Sequence, residues 1–126
     1  MRYLLDTTLL IDHAKGRPGA AALVRTLFEN PNDLYICDIV VAEALSGGSE
    51  VERAGINALM RAVEYVSIPP EAAVWAGASR QSRRATGARS LADALVGGLA
   101  VAMKATVITR NRTDFERQGV PVLAYE

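Results

Sequence analysis

Cysteine, histidine and tryptophan each occur once in the 126 residues, and each scarcity removes a class of chemistry. A lone Cys37 forms no internal disulfide and no cysteine-pair metal site, and its apolar neighbours mark it as a small buried hydrophobe in a reducing compartment. A lone His13 excludes a paired-histidine zinc site and gives a Ser/His nucleophile little support; it reads as a surface or helix-end group. No apolar run reaches the roughly 20 residues of a membrane helix, and Asp6 interrupts the stretch that would otherwise imitate a signal-peptide core. The expectation is a cytoplasmic protein with no membrane role. Aromatics are only 6% of the chain and are not interleaved with basic residues, so no base-stacking platform is indicated. Trp75 reads as a packing residue or interface anchor.

An excess of charge of one sign is also missing. Fourteen Lys/Arg balance 14 Asp/Glu, so no whole-molecule field draws in nucleic acid. The distribution is uneven, however. From Glu71 onward eight basic residues (Arg80, Arg83, Arg84, Arg89, Lys104, Arg110, Arg112, Arg117) face five acidic ones (Glu71, Asp93, Asp114, Glu116, Glu126). The cluster from Arg80 to Arg84, followed by Arg89, serves equally as a phosphate-holding surface or a solvated helix face.

What is present is core material. Half of the residues are hydrophobic, 22% are charged and five are proline, so the chain has the means to fold and the length for one domain, expected over 1–126. Short apolar runs at Arg2–Leu5, Leu34–Ile36, Tyr65–Ile68, Thr106–Thr109 and Val120–Ala124 read as strands. Between them, 8–14, 20–28, 39–45, 50–64, 71–84 and 91–103 read as helices, with Asp38 capping the third, Gly47-Gly48 ending it and a short turn or helix over 114–118. Strands separated by helices predict an α/β fold with a mostly parallel sheet covered on both faces.

Four carboxylates fall at telling places. Asp6 follows the first strand, Asp93 opens the Ala-rich helix, Asp114 follows Val107-Ile108, and Glu43 sits among Val40, Val41, Ala42, Ala44 and Leu45. Carboxylates gathered at the edge of such a sheet repel one another unless protonated or bridged by positive charge, and hard Mg²⁺ or Mn²⁺ suits oxygen ligands. Such a cluster points to metal-assisted hydrolysis of a phosphodiester. Each residue also has a plainer role: Asp6, Asp93 and Asp114 at helix starts, and Glu43 turned to solvent. Thr7 and Thr8 cap a helix or orient water, and Thr109 and Asn111 form a turn or position Asp114.

Taken in order, these segments resemble a PIN-domain ribonuclease of the VapC-like toxin kind. Leu4-Leu5-Asp6-Thr7-Thr8 is similar to the family's opening acidic motif and Val41-Ala42-Glu43-Ala44-Leu45 to its central glutamate segment. Leu91-Ala92-Asp93-Ala94-Leu95-Val96 and Ile108-Thr109-Arg110-Asn111-Arg112-Thr113-Asp114-Phe115 resemble the third and last. The resemblance implies a three-layer α/β/α sandwich and a Mg²⁺- or Mn²⁺-dependent endoribonuclease. Asp6, Glu43, Asp93 and Asp114 would be catalytic and hold the metal, with Thr7, Thr109, Asn111, Arg84 and Arg89 positioning RNA. It also implies a homodimer and a cognate antitoxin that covers the groove. The sequence departs at Thr8, where Ser or Asn is frequent, and at Gly97-Gly98, which lowers helix propensity but permits close packing. A DNA nuclease or phosphatase, and a non-enzymatic module whose acidic cleft receives a partner's Arg or Lys, stay open beside this reading.

Overall fold

Leu4 and Leu5 are adjacent in a strand, so their side chains leave on opposite faces, yet both are buried, as are the adjacent Val107 and Ile108. A sheet with such strands must be covered on both sides. The computed structural model describes residues 1–30, 32–82 and 90–126. Its chain order is β1 (Arg2–Leu5), α1 (Thr7–Ala14), α2 (Pro18–Glu29), β2 (Asp33–Cys37), α3 (Asp38–Leu45), α4 (Glu50–Ala62), β3 (Glu64–Val66), α5 (Pro70–Gln81), α6 (Leu91–Met103), β4 (Thr106–Thr109), α7 (Arg112–Glu116) and β5 (Val122–Ala124). The architecture is a three-layer α/β/α sandwich.

The sheet runs β3-β2-β1-β4-β5, and every pairing in it is parallel. After β1 the chain builds outward on one side through β2 and β3, then crosses to the other side for β4 and β5. The strand order therefore reverses between β1 and β4. In open α/β sheets, the crevice at the carboxyl ends of the strands beside such a reversal is where ligands bind. Leu5 is in register with Ile108, so the residues that follow them, Asp6 and Thr109, emerge side by side at that crevice.

Several helix ends differ from the sequence expectation for local reasons. α2 starts at Pro18 rather than Ala20 because proline suits the first helical turn, whose N–H groups have no intrahelical acceptor. Cys37, not Asp38, is the N-cap of α3; Asp38 is the first helical residue, and its carboxylate accepts the Ile39 N–H (2.9 Å) and the Ile68 N–H (3.4 Å). α4 is held by a reciprocal capping box between Ser49 and Glu52 and ends at Ala62, two residues short of the expected end. α7 starts at Arg112 rather than Asp114, which places Asp114 in its first turn.

Gly97 and Gly98 let α6 lie against α5. A Cβ on Gly98 would come within 2.4 Å of the Ala72 carbonyl oxygen, and one on Gly97 would meet Gln118 at 2.9 Å and the Trp75 ring at 3.2 Å. The close packing expected of the glycine pair is present, and Trp75 is a half-buried packing residue. Cys37 is fully buried, and burial pushes its thiol up to about 11, so it carries no thiolate chemistry at neutral pH. No helix among the described residues is long and apolar enough to cross a membrane.

Candidate active site

Asp6 is 5% exposed and occupies the N-cap position of α1, but its side chain caps nothing. Its backbone carbonyl accepts the Leu9 N–H, while the carboxylate turns across the sheet to accept the Thr109 hydroxyl at 2.8 Å. Thr8 Oγ1 adds a longer contact to the same oxygen at 3.4 Å. Thr109, itself fully buried, also accepts the Asn111 N–H at 3.0 Å, and Thr8 Oγ1 accepts the Arg110 N–H at 3.1 Å. The two hydroxyls thus bind the start of α1 to the turn after β4. The helix-capping role available to the Asp6 side chain is not the one it takes.

Glu43 lies on α3 with its side chain exposed rather than buried among the valines flanking it in sequence. It is nevertheless tied to the crevice, because Thr7 Oγ1 donates to its Oε1 at 2.9 Å. Asp93 is the third residue of α6; its N–H is capped by Ser90 Oγ at 3.0 Å, and its half-buried carboxylate, also hydrogen-bonded to the Ser90 side chain, lies within electrostatic reach of Asp6, Asp114 and Glu43. Asp114 stands in the corresponding turn of α7, also half-buried. Gln118 Nε2 donates to the backbone carbonyls of both Asp93 (3.3 Å) and Asp114 (2.8 Å), bridging the two helix starts.

The electrostatics follow from this crowding. Burial pushes the Asp93 carboxyl up to about 6, helped by the negative charge of Asp6 and then of Asp114 and Glu43. Asp6 is likewise raised, mainly by burial and further by Glu43, against the lowering effect of the Thr109 hydroxyl. No lysine or arginine forms an ion pair with any of the four among the described residues; the ion pairs found engage Asp12 and Glu116 instead. The arrangement concentrates negative charge at the strand-order reversal, with no cationic partner among the described residues.

A family model for the PIN domain matches residues 3–120. The chain belongs to the PIN domain family. Within that family it is VapC-like: this PIN domain is 30% identical over 113 residues, 89% of its own length and 90% of the relative's, to Ribonuclease VapC19 of Mycobacterium tuberculosis. In fold it is similar to VapBC2 of Rickettsia felis, solved bound to a DNA fragment from their promoter, with a TM-score of 0.83, 20% identity and 100% of both chains covered. A toxin-antitoxin complex from Klebsiella pneumoniae aligns with a TM-score of 0.75 and 27% identity over 97% of this chain and 96% of that one.

Within the PIN domain, then, the four motif carboxylates share one electrostatic neighbourhood, with Thr7 and Thr109 hydrogen-bonded to two of them. Asn111 is exposed at the N-cap of α7 and meets Thr109 through its backbone. Arg84 and Arg89 lie outside the described residues. Among the described residues no three Asp, Glu, His or Cys side chains are close enough to ligate one ion by themselves. Two residues escaped the sequence reading. Gln118 gave no signal, and neither did Asp12, which is buried in α1 with Arg17 nearby in sequence and Arg110 and Tyr125 at the far end of the chain.

Proposed function

We propose that this PIN domain is a divalent-cation-dependent endoribonuclease that acts as the toxin of a toxin-antitoxin pair, with the whole activity carried by the one domain over 1–126. The observation that carries the reading is four carboxylates in mutual repulsion at the strand-order reversal, with no cationic side chain paired to them among the described residues. The names of its relatives, a ribonuclease and toxin-antitoxin complexes, point the same way.

Asp6, Glu43, Asp93 and Asp114 would hold Mg²⁺ or Mn²⁺, with direct and water-mediated contacts divided among them. When bound, the ion supplies Lewis-acid stabilisation of the charge that develops on the scissile phosphodiester. The chain's own residues do the positioning. Thr109 fixes the direction of the Asp6 carboxylate, Thr7 fixes Glu43, and Gln118 holds the backbones that carry Asp93 and Asp114. Asn111, Arg84 and Arg89 orient the RNA backbone, compensating for a net charge of zero. The antitoxin covers the groove and sets a basic side chain against the acids, and the toxin pairs as a homodimer in the cytoplasm.

The test is cleavage of a mixed cellular RNA pool by purified protein with Mg²⁺ or Mn²⁺, with chelator, and with Asp6→Asn and Asp93→Asn as matched controls. Ion-dependent cleavage lost in both variants supports the assignment, and normal cleavage by both removes it. Single-stranded DNA and a small phosphate ester run in parallel; turnover of either in place of RNA moves the assignment to a DNA nuclease or phosphatase. Tight partner binding with no divalent-ion binding moves it to a protein-binding module. Light scattering at several concentrations decides the homodimer.

A further inference from the structure

Asp12 is 2% exposed and lies outside the acidic quartet, yet it is among the most heavily engaged side chains in the chain. Its carboxylate accepts Arg110 Nη1 at 3.1 Å, Arg17 Nε at 3.2 Å and the Tyr125 hydroxyl at 2.7 Å. Burial, and then the bond to Asp12, raise the Tyr125 hydroxyl far above the usual tyrosine range, so it stays a donor. Asp12 and Thr8 are four residues apart on α1 and share a face. Together they grip one residue: Thr8 takes the Arg110 N–H, and Asp12 takes its guanidinium. The neighbours of Arg110 are Thr109, whose hydroxyl sits on Asp6, and Asn111, whose N–H sits on Thr109.

Desolvation of a buried carboxylate offsets much of its attraction to two part-exposed arginines, so this network's value lies less in net stability than in the geometry it holds. We propose that Asp12 is a positioning residue: by holding the Arg110 guanidinium, with Tyr125 and Arg17 as its supports, it fixes the 109–111 turn and hence the Thr109 hydroxyl on Asp6. This deepens the nuclease reading and rests on it for its catalytic consequence, although the mechanical claim stands alone. Tyr125 is thereby coupled to the turn through Asp12, and it also meets the Thr8 hydroxyl directly.

The experiment compares amide hydrogen exchange in the wild type, Asp12→Asn, Arg110→Met and Tyr125→Phe, alongside RNA cleavage kinetics. An amide in place of the carboxylate cannot accept three donors, so exchange at Arg110 and Asn111 should quicken about tenfold in Asp12→Asn, with Val107 and Ile108 unchanged. Arg110→Met cuts the same link from its part-exposed end and should reproduce the change even if Asp12→Asn fails to fold. Tyr125→Phe should give a smaller change of the same pattern. In cleavage, kcat should fall about tenfold with KM within about twofold. Unchanged exchange at Arg110 and Asn111 in folded variants overturns the inference, as does a uniform acceleration across β4, which would make Asp12 a general stabiliser. A wild type that cleaves no RNA removes the nuclease reading alone, because the exchange data still decide the mechanical claim.

Discussion

Removing the Asp93 charge should stabilise the metal-free protein at neutral pH while disabling its site. The Asp93 carboxyl is raised from 3.8 to about 6 in the fold, so the folded chain holds this proton more tightly than the unfolded one. Below pH 3.8 both states are protonated and the group contributes nothing. As pH rises from 3.8 to 6 the unfolded chain releases the proton first, so stability falls; above 6 the full cost is present. A shift of that size would correspond to about 3 kcal/mol if unscreened, and a half-buried group facing solvent retains about 1–2 kcal/mol of it. Asp93→Asn also forfeits a favourable first-turn interaction with the α6 dipole of about 0.5 kcal/mol, which leaves a net gain of about 1 kcal/mol. Urea unfolding in chelator at pH 4.5, 6 and 7.5 measures it. The variant's advantage should be smallest at the lowest pH and grow to its full size by pH 7.5, and Mg²⁺ or Mn²⁺ should then raise the wild type more than the variant. A pH-independent difference between the two, or a variant that is weaker at pH 7.5, would refute the crowding argument.

Other perturbations probe the scaffold. Gly98→Ala drives a Cβ into the Ala72 carbonyl, and because the obstacle is backbone the clash should outweigh the roughly 1 kcal/mol gained in helix propensity; thermal unfolding should show a drop of several degrees. Lys104 ends α6 in the left-handed region at φ 56°, so Lys104→Gly should raise stability by about 0.5–1 kcal/mol in the same assay, and a loss would deny that the strain is real. Thr109→Val leaves both Asp6 and the Asn111 N–H without their hydroxyl, and should cost about 1–3 kcal/mol and most of the cleavage, whereas Thr109→Ser should retain both; equal behaviour of Val and Ser would show that the hydroxyl does nothing.

The strands were legible because leucine and β-branched runs bounded by polar turns carry their own period; Asp6 and Asp114 were legible because each follows such a run, and Asp93 because it stands at the start of an Ala-rich helix. Glu43 was harder. Apolar neighbours in sequence point to a buried carboxylate, but a helix turns a single residue away from its apolar stripe, and α3 presents Glu43 to solvent with Thr7, among the described residues, to direct it. Most of the Asp12 network could not be read, since Arg110 and Tyr125 stand 98 and 113 positions away and only the finished sheet brings them near, with Arg17 the one partner close in sequence among the described residues. Gln118 escaped for a similar reason: a bridge between two backbone carbonyls leaves no side-chain motif.

Asp6 and Thr109 meet across neighbouring strands although 103 positions separate them in the chain. Pairings of such long range form late and slowly, because a large loop must close before any contact offsets its entropy. A polypeptide still emerging from the ribosome thus displays Asp6 and Glu43 early, and can even assemble β1, β2 and β3, while lacking Asp93, Thr109 and Asp114. Its acidic crevice does not exist until synthesis has passed β4. The wiring of the sheet therefore sets an order of assembly in which the crevice is completed last, once β4 and α7 have joined β1.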